Sequence, residues 1–216
     1  MAYGIYIENP NGFIKIDESY ARFRILQSGT LTTPGPVMVP TQSQQPLVFI
    51  RPSAYGVPFR VGSLYVDRFW VYSGNYNGAP EVNLDYRVVN RSDLIAVPTG
   101  VFGINVMGPT GALLFTSEDR FINIDTVINF TISSSIQDFT VPAPEFGTRF
   151  IAMVGPNVIR MVPSGTYMTS YCQYMTLLNE TTIRVGEVAF APVNMYFALP
   201  GLSIIGQPCT LISGYL

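Results

Sequence analysis

Apolar and polar residues alternate along much of this chain with a period of two, and turn residues break the alternation every few positions. Val82, Leu84, Tyr86 and Val88, for example, are interleaved with Asn83, Asp85 and Arg87. That is the pattern of a strand with one face in a core and the other in water. Similar runs predict strands at Phe23–Leu26, Leu47–Arg51, Leu64–Tyr72, Phe121–Asn129, Phe150–Val154, Tyr171–Leu178 and Ile183–Phe190. No window of helical length keeps a 3.6-residue period, and 17 prolines and 19 glycines punctuate the chain. Many short strands at such spacing predict an all-β sandwich or barrel. A strand-poor stretch runs from Gln27 to Pro46, with Val37-Met38-Val39 as a short edge strand inside it.

The pattern also repeats. The segment from Tyr3 to Ile16 aligns without gaps on Phe102 to Phe115, a constant shift of 99 residues, so that aromatic, Gly, Ile, Pro, Gly and aliphatic positions coincide. Each copy predicts a hairpin, Ile5 and Ile7 against Ile14 and Ile16 in the first. Asn9-Pro10-Asn11-Gly12 and Gly108-Pro109-Thr110-Gly111 both place Pro second and Gly fourth, as a type I turn prefers. A second echo joins Val82-Asn83-Leu84-Asp85-Tyr86 to Val193-Asn194-Met195-Tyr196-Phe197, at a shift of 111. The reading is therefore two tandem β-sandwich-like domains, residues 1–98 and 99–216, related by an internal repeat. The alternative is one continuous sandwich built from two hairpin-rich halves.

Composition changes the picture in one respect. Charged residues make up only 12% of the 216 residues while apolar ones make up 48%, against about a quarter charged in an ordinary soluble domain. Such a surface predicts partial cover by other protein subunits. No run approaches the roughly 20 apolar residues that span a bilayer, and the first ten residues lack a basic start and a long apolar centre, so the expectation is synthesis in the cytoplasm without secretion. On that expectation the glycosylation-type triplets Asn90-Arg91-Ser92, Asn129-Phe130-Thr131 and Asn179-Glu180-Thr181 are chance matches. Net charge is −2 and Lys15 is the only lysine, which argues against nucleic acid as a partner. Cys172 and Cys209 lack metal-type spacing and read as two free, buried thiols, with a disulfide as the alternative.

Candidate chemistry is sparse. The chain has no histidine, which removes hydrolase triads with a His base and the common zinc sites. Neither a Walker-type nor a dinucleotide glycine motif occurs. A glycosidase needs only two carboxylates, but Asp17, Glu18, Asp67, Asp85, Glu118, Asp119 and Glu145 read as surface charges at hairpin ends, and none is spaced for calcium. The expectation is a protein that is not an enzyme, with no cofactor and no metal. The segment Phe69-Trp70-Val71-Tyr72-Ser73-Gly74-Asn75-Tyr76-Asn77-Gly78 is the candidate contact surface. Trp70 and Tyr72 share one strand face and Phe69 and Val71 the other, so one pair must look away from the core. Trp70, Tyr72, Asn75, Tyr76 and Asn77 are candidates for a protein interface or for a glycan, whose rings stack on aromatics and whose hydroxyls bond to amides.

The opening Met1-Ala2-Tyr3-Gly4-Ile5-Tyr6-Ile7, with Asn11-Gly12, Ile16-Asp17 and Tyr20-Ala21-Arg22, resembles the start of small tail-tip or baseplate (minor tail) proteins of long-tailed bacteriophages and prophages. The likeness covers about the first 30 residues. It implies a structural virion component that joins the tail hub to fibres or neighbouring tail proteins, in multiple copies following threefold tail symmetry. A receptor-binding module of the tail, recognising a host surface glycan, is the alternative. The family offers no catalytic residues to carry over.

Overall fold

A computed structural model of the chain describes residues 4–9, 12–17, 23–33, 35–38, 46–65, 68–73, 82–91, 105–107, 113–116, 121–144, 147–155, 158–164, 167–194 and 207–216. Every regular element among them is a strand, as the alternation predicts. In chain order they are β1 (Gly4–Asn9), β2 (Gly12–Asp17), β3 (Phe23–Thr32), β4 (Gly35–Met38), β5 (Leu47–Pro52), β6 (Pro58–Tyr65), β7 (Arg68–Ser73), β8 (Asn83–Arg91), β9 (Asn105–Met107), β10 (Leu113–Thr116), β11 (Asn123–Thr131), β12 (Gln137–Thr140), β13 (Arg149–Val154), β14 (Val158–Ser164), β15 (Tyr167–Asn179), β16 (Thr182–Asn194) and β17 (Pro208–Tyr215).

Both hairpins read from the repeat are present. β1 and β2 pair antiparallel with Ile5 opposite Ile16 and Ile7 opposite Ile14. β9 and β10 pair likewise, but a bulge between Leu113 and Phe115 shifts the register, so that Leu113 meets Met107 and Phe115 meets Val106. The two turns lie outside the described residues.

The remaining strands form two sheets. One has six strands in the order β11-β17-β13-β5-β8-β3; the other runs β12-β16-β15-β6-β7-β4, with β14 added against β15. The boundary between residues 98 and 99 lies outside the described residues, but both sheets take strands from each side of it. The seams are short antiparallel pairs: Ile50 opposite Ile151 joins β5 to β13, and Phe59 opposite Met175 joins β6 to β15. The second sequence echo does not mark equivalent positions, because Val82–Tyr86 enters the six-stranded sheet through β8 whereas Val193 and Asn194 end β16 in the other. The Leu64–Tyr72 run is divided between two paired strands, β6 and β7, with Tyr65 opposite Arg68. Part of the stretch read as strand-poor is strand as well, since β3 continues to Thr32 and β4 follows it.

Alternation dictates the packing. Val48 and Ile50 of β5 enter the core between the sheets, with Phe59, Val71, Leu84, Met175, Ile183 and Leu211 among its members. Phe49, between them in sequence, points the other way into a second cluster with Val89, Phe150, Ala152, Ile122 and Ile212. That cluster exists because the six-stranded sheet curls. Phe121 bridges Arg24, and the Ile122 N–H donates to the Phe23 carbonyl at 3.2 Å. The starts of β3 and β11 therefore meet although these strands lie at opposite edges of the sheet. Each makes the turn with a bulge, after Ile25 in β3 and after Ile124 in β11. One extra residue flips the alternation, so Ile25 and Ile124 pack in the curl while Leu31 and Phe130 pack between the sheets.

Candidate functional site

The bulge in β11 does more than bend a strand. Asp125 is its extra residue, between Ile124 opposite Gly214 and Thr126 opposite Ser213. Its carboxylate meets the Arg149 guanidinium, with Nη1 donating to Oδ2 at 2.8 Å and to Oδ1 at 3.1 Å. Arg149 opens β13 and is 0% exposed. A buried guanidinium needs every donor engaged or its desolvation is uncompensated. Here Nη1 also donates to Ser213 Oγ at 2.8 Å, Nε to the Glu180 carbonyl at 2.5 Å, and Nη2 to the Pro142 carbonyl. The Ser213 hydroxyl in turn donates to Asp125 Oδ1 at 2.5 Å.

Glu180, in the turn between β15 and β16, links this cluster to the first half of the chain. Its Oε2 accepts the Arg149 N–H at 3.1 Å. Its Oε1 accepts Arg51 Nη1 at 2.8 Å and the Tyr55 hydroxyl at 2.6 Å. Arg51 Nη1 also donates to the Arg149 carbonyl at 3.1 Å. Strands β5, β11, β13 and β17, the loop after β5 and the β15–β16 turn are thus tied at one point. Burial acts to raise the Glu180 pKa, but the hydrogen bonds from Tyr55 and Arg51, the Arg51 charge and the Arg149 N–H outweigh it and hold the carboxyl below its ordinary value.

A depressed carboxyl stabilises the fold fully above its unfolded pKa, about 4.3 for glutamate, and that contribution is lost as pH falls through the lower folded value. Glu180→Gln should therefore flatten the acid side of a plot of unfolding midpoint against pH. An acid slope identical in the two proteins would show that Glu180 is not its source.

What this arrangement does chemically is hold. The guanidinium has no face open to a substrate, and the acids are consumed in ion pairs and hydrogen bonds. Arg149 and Asp125 were missed in the sequence reading. Asp125 reads as a lone charge inside the predicted strand Phe121–Asn129, and Arg149 stands one residue before the predicted strand Phe150–Val154. In the sequence Glu180 stands out only as the middle of a glycosylation-type triplet. There Asn179 Oδ1 accepts the Thr181 N–H at 2.8 Å and its hydroxyl at 2.9 Å, so both side chains build the turn. Asn129 Oδ1 similarly accepts the Thr210 hydroxyl at 2.7 Å.

The sequence-derived contact surface is reached only in part. Trp70 and Tyr72 lie on β7, Trp70 between Gly62 of β6 and Pro36 of β4, and Tyr72 opposite Arg60. Val71 is buried and Phe69 packs on the central core, so alternation assigns positions 70 and 72 to the opposite face of the sheet. Asn75, Tyr76 and Asn77 lie outside the described residues. Phe69 also lines an apolar cleft of about 180 Å³ between the sheets, with Leu47, Val48, Val61, Met153 and Val154. The cleft opens where β5 and β13 run on beyond their single bridged pair.

Of the acids weighed for sugar cleavage, Asp17 ends β2 and Asp85 accepts the Thr30 hydroxyl at 2.6 Å. Glu18, Asp67, Glu118, Asp119 and Glu145 lie outside the described residues. Cys172 and Cys209 are both free and buried, on β15 of one sheet and β17 of the other. Burial pushes the Cys209 thiol up to about 11. No group of three metal-ligating side chains occurs among the described residues, and they contain no helix long and apolar enough to cross a membrane. No protein-family model, curated protein or solved structure matches the chain.

Proposed function

We propose that this chain is a structural subunit of a bacteriophage tail tip or baseplate, joining the hub to fibres or neighbouring tail proteins, and that it is not an enzyme. The reading rests first on the opening residues, which resemble those of minor tail proteins. The structural observation that carries it furthest is where the charge goes. Arg51, Asp125, Arg149 and Glu180 are spent on tying strands together, and Asp138 and Arg184 on each other at 2.8 Å. A chain with few charges that ties several of them up in pairs leaves low-charge β surface for protein contacts. Mass spectrometry of purified virions of the phage or prophage that encodes the chain should detect it in stoichiometric amounts. Virions that assemble fully and lack the chain would sink the proposal.

The finer fold reading belongs to the same proposal: two related sandwich units, fused side by side. Counted inward from its edges, the six-stranded sheet runs β3-β8-β5 from one side and β11-β17-β13 from the other; the second sheet runs β4-β7-β6 and β12-β16-β15. The order is the same in each half, with β14 as an insertion in the second. The bulges of β3 and β11 also keep the shift of 99 residues found in the hairpins, Ile25 corresponding to Ile124. These correspondences support duplication of one unit.

Glycan binding by the tail is the second reading, favoured by the placement of positions 70 and 72 on the face opposite Phe69 and Val71. A glycan array without a hit, together with unchanged host adsorption of a Trp70→Ala phage, would remove it.

A further inference from the structure

On the reading of two fused units, the bulges fix which residues of the halves correspond. In the six-stranded sheet β3 is bulged after Ile25, opposite Val89, and β11 after Ile124, opposite Gly214. Val89 also faces Leu47 of β5, and Gly214 faces Phe150 of β13. Leu47 therefore corresponds to Phe150 and, counting along each strand, Pro46 to Arg149 and Arg51 to Val154. In the other sheet β6 is bulged between Ser63 and Tyr65, and β15 between Leu177 and Asn179, with Tyr65 opposite Arg68 and Asn179 opposite Thr182. Tyr65 then corresponds to Asn179, Val66 to Glu180, Phe59 to Gln173 and Val61 to Met175. Both seams obey one twofold relation. Exchanging counterparts turns Ile50 opposite Ile151 into Met153 opposite Val48, and Phe59 opposite Met175 into Gln173 opposite Val61, each the next same-face pair along the same antiparallel register.

The two ends of the seam have opposite chemistry. At one end Asp125, Arg149, Glu180 and Ser213 of the second half form the ionic cluster, and Arg51 of the first half completes it by donating Nη1 to Glu180 Oε1 at 2.8 Å. The counterparts of these five residues are Leu26, Pro46, Val66, Val88 and Val154, all apolar. Pro46 and Val154 line the apolar cleft at the other end of the seam, while Val66 lies outside the described residues. The cation and its acceptor thus each occur once, Arg51 in the first half and Glu180 in the second.

We infer that the Arg51–Glu180 tie selects the partner of each half: it makes the first half close on the second and keeps copies of the chain from joining like half to like half. Surfaces related by a twofold axis are self-complementary, so their shape alone permits two first halves, or two second halves, to pair. Charge removes that freedom. Two first halves would set Arg51 against the valine at position 66 at both ends of their seam, and two second halves would set Glu180 against Val154. Either pairing strands two ions, whereas the native one satisfies both members. The two side chains are only 21% and 29% exposed, so water replaces the lost partner only in part. The inference goes beyond the tail reading and rests on the fused-unit reading of the fold.

Refolding the full chain from urea over a wide concentration range, followed by sedimentation, tests the selection. Arg51→Val combined with Val154→Arg moves the arginine to its counterpart position and leaves the composition unchanged. It strips the closed chain of its tie and gives two second halves a tie at each end of their seam. The association constant of this double variant should exceed that of the native chain by about tenfold or more. Arg51→Val alone should fall between the two, and Arg51→Lys, which keeps the charge, should behave as the native chain does. Val154→Arg alone, at a position 46% exposed, should also associate more than the native chain, and it keeps the test decisive if Arg51→Val disturbs folding. Association no stronger than native in every folded variant overturns the inference. Association raised by Arg51→Val but no further by Val154→Arg overturns the correspondence of positions 51 and 154, and the fused-unit reading with it. Presence or absence of the chain in virions affects none of these outcomes.

Discussion

Arg149→Met is expected to cost about 3–5 kcal/mol of folding stability, the range for removing one partner of a buried ion pair. The methionine fills much of the space but satisfies none of the acceptors. It leaves Asp125 with a carboxylate only 12% exposed and no cation, and deprives the Pro142 and Glu180 carbonyls of their donors. Removing the charge on both sides, in Arg149→Met with Asp125→Leu, should recover part of the loss, because the uncompensated carboxylate disappears with its partner. Urea denaturation of the three proteins measures this directly. A loss below about 1 kcal/mol for the single substitution, the scale of an exposed pair, would mean that the cluster does not anchor the strands.

The second large effect concerns the seam. Residues 1–98 and 99–216, expressed separately, are each expected to lack a cooperative unfolding transition, and mixing them should restore one. The central core takes Val37, Val48, Ile50, Phe59, Val71, Leu84 and Val88 from the first part and Val141, Ile151, Met175, Leu177, Ile183, Val185 and Leu211 from the second. Each fragment alone would expose half of that cluster and two unpaired strand edges, β5 with β6 or β13 with β15. Calorimetry of each fragment and of the mixture decides the matter. Independent, reversible melting of either fragment would show that a half closes its own core.

The strands were legible in the sequence because a period of two is local information. Leu47–Arg51 and Phe150–Val154 were found almost to the residue as β5 and β13. What failed was information of longer range. Leu64–Tyr72 reads as one apolar run because the β6–β7 hairpin connects two strands that are both hydrophobic. Gln27 to Thr32 reads as strand-poor because its outward positions, Ser28, Thr30 and Thr32, are small polar residues that resemble a loop. Hydrogen bonds from the two threonines to Asp85 and Asn83, 55 and 51 residues away, make them part of a strand. The Arg149 cluster was illegible for the same reason, since Asp125, Glu180 and Ser213 converge on it only after folding. Of the candidate contact surface, the structure fixes the inward face of β7, with Val71 buried and Phe69 packed on the central core.

The curl of the six-stranded sheet gives β5 an unusual position. Val48 and Ile50 are gripped by one apolar body and Phe49 by another, so this short strand is walled in above and below. It also runs along the line where the two halves of the polypeptide touch. A pull on either half therefore reaches the other as shear through a strand that can slide in neither direction without opening two interiors at once. Parting the halves along this line would open both apolar bodies together, since each takes side chains from either side of it.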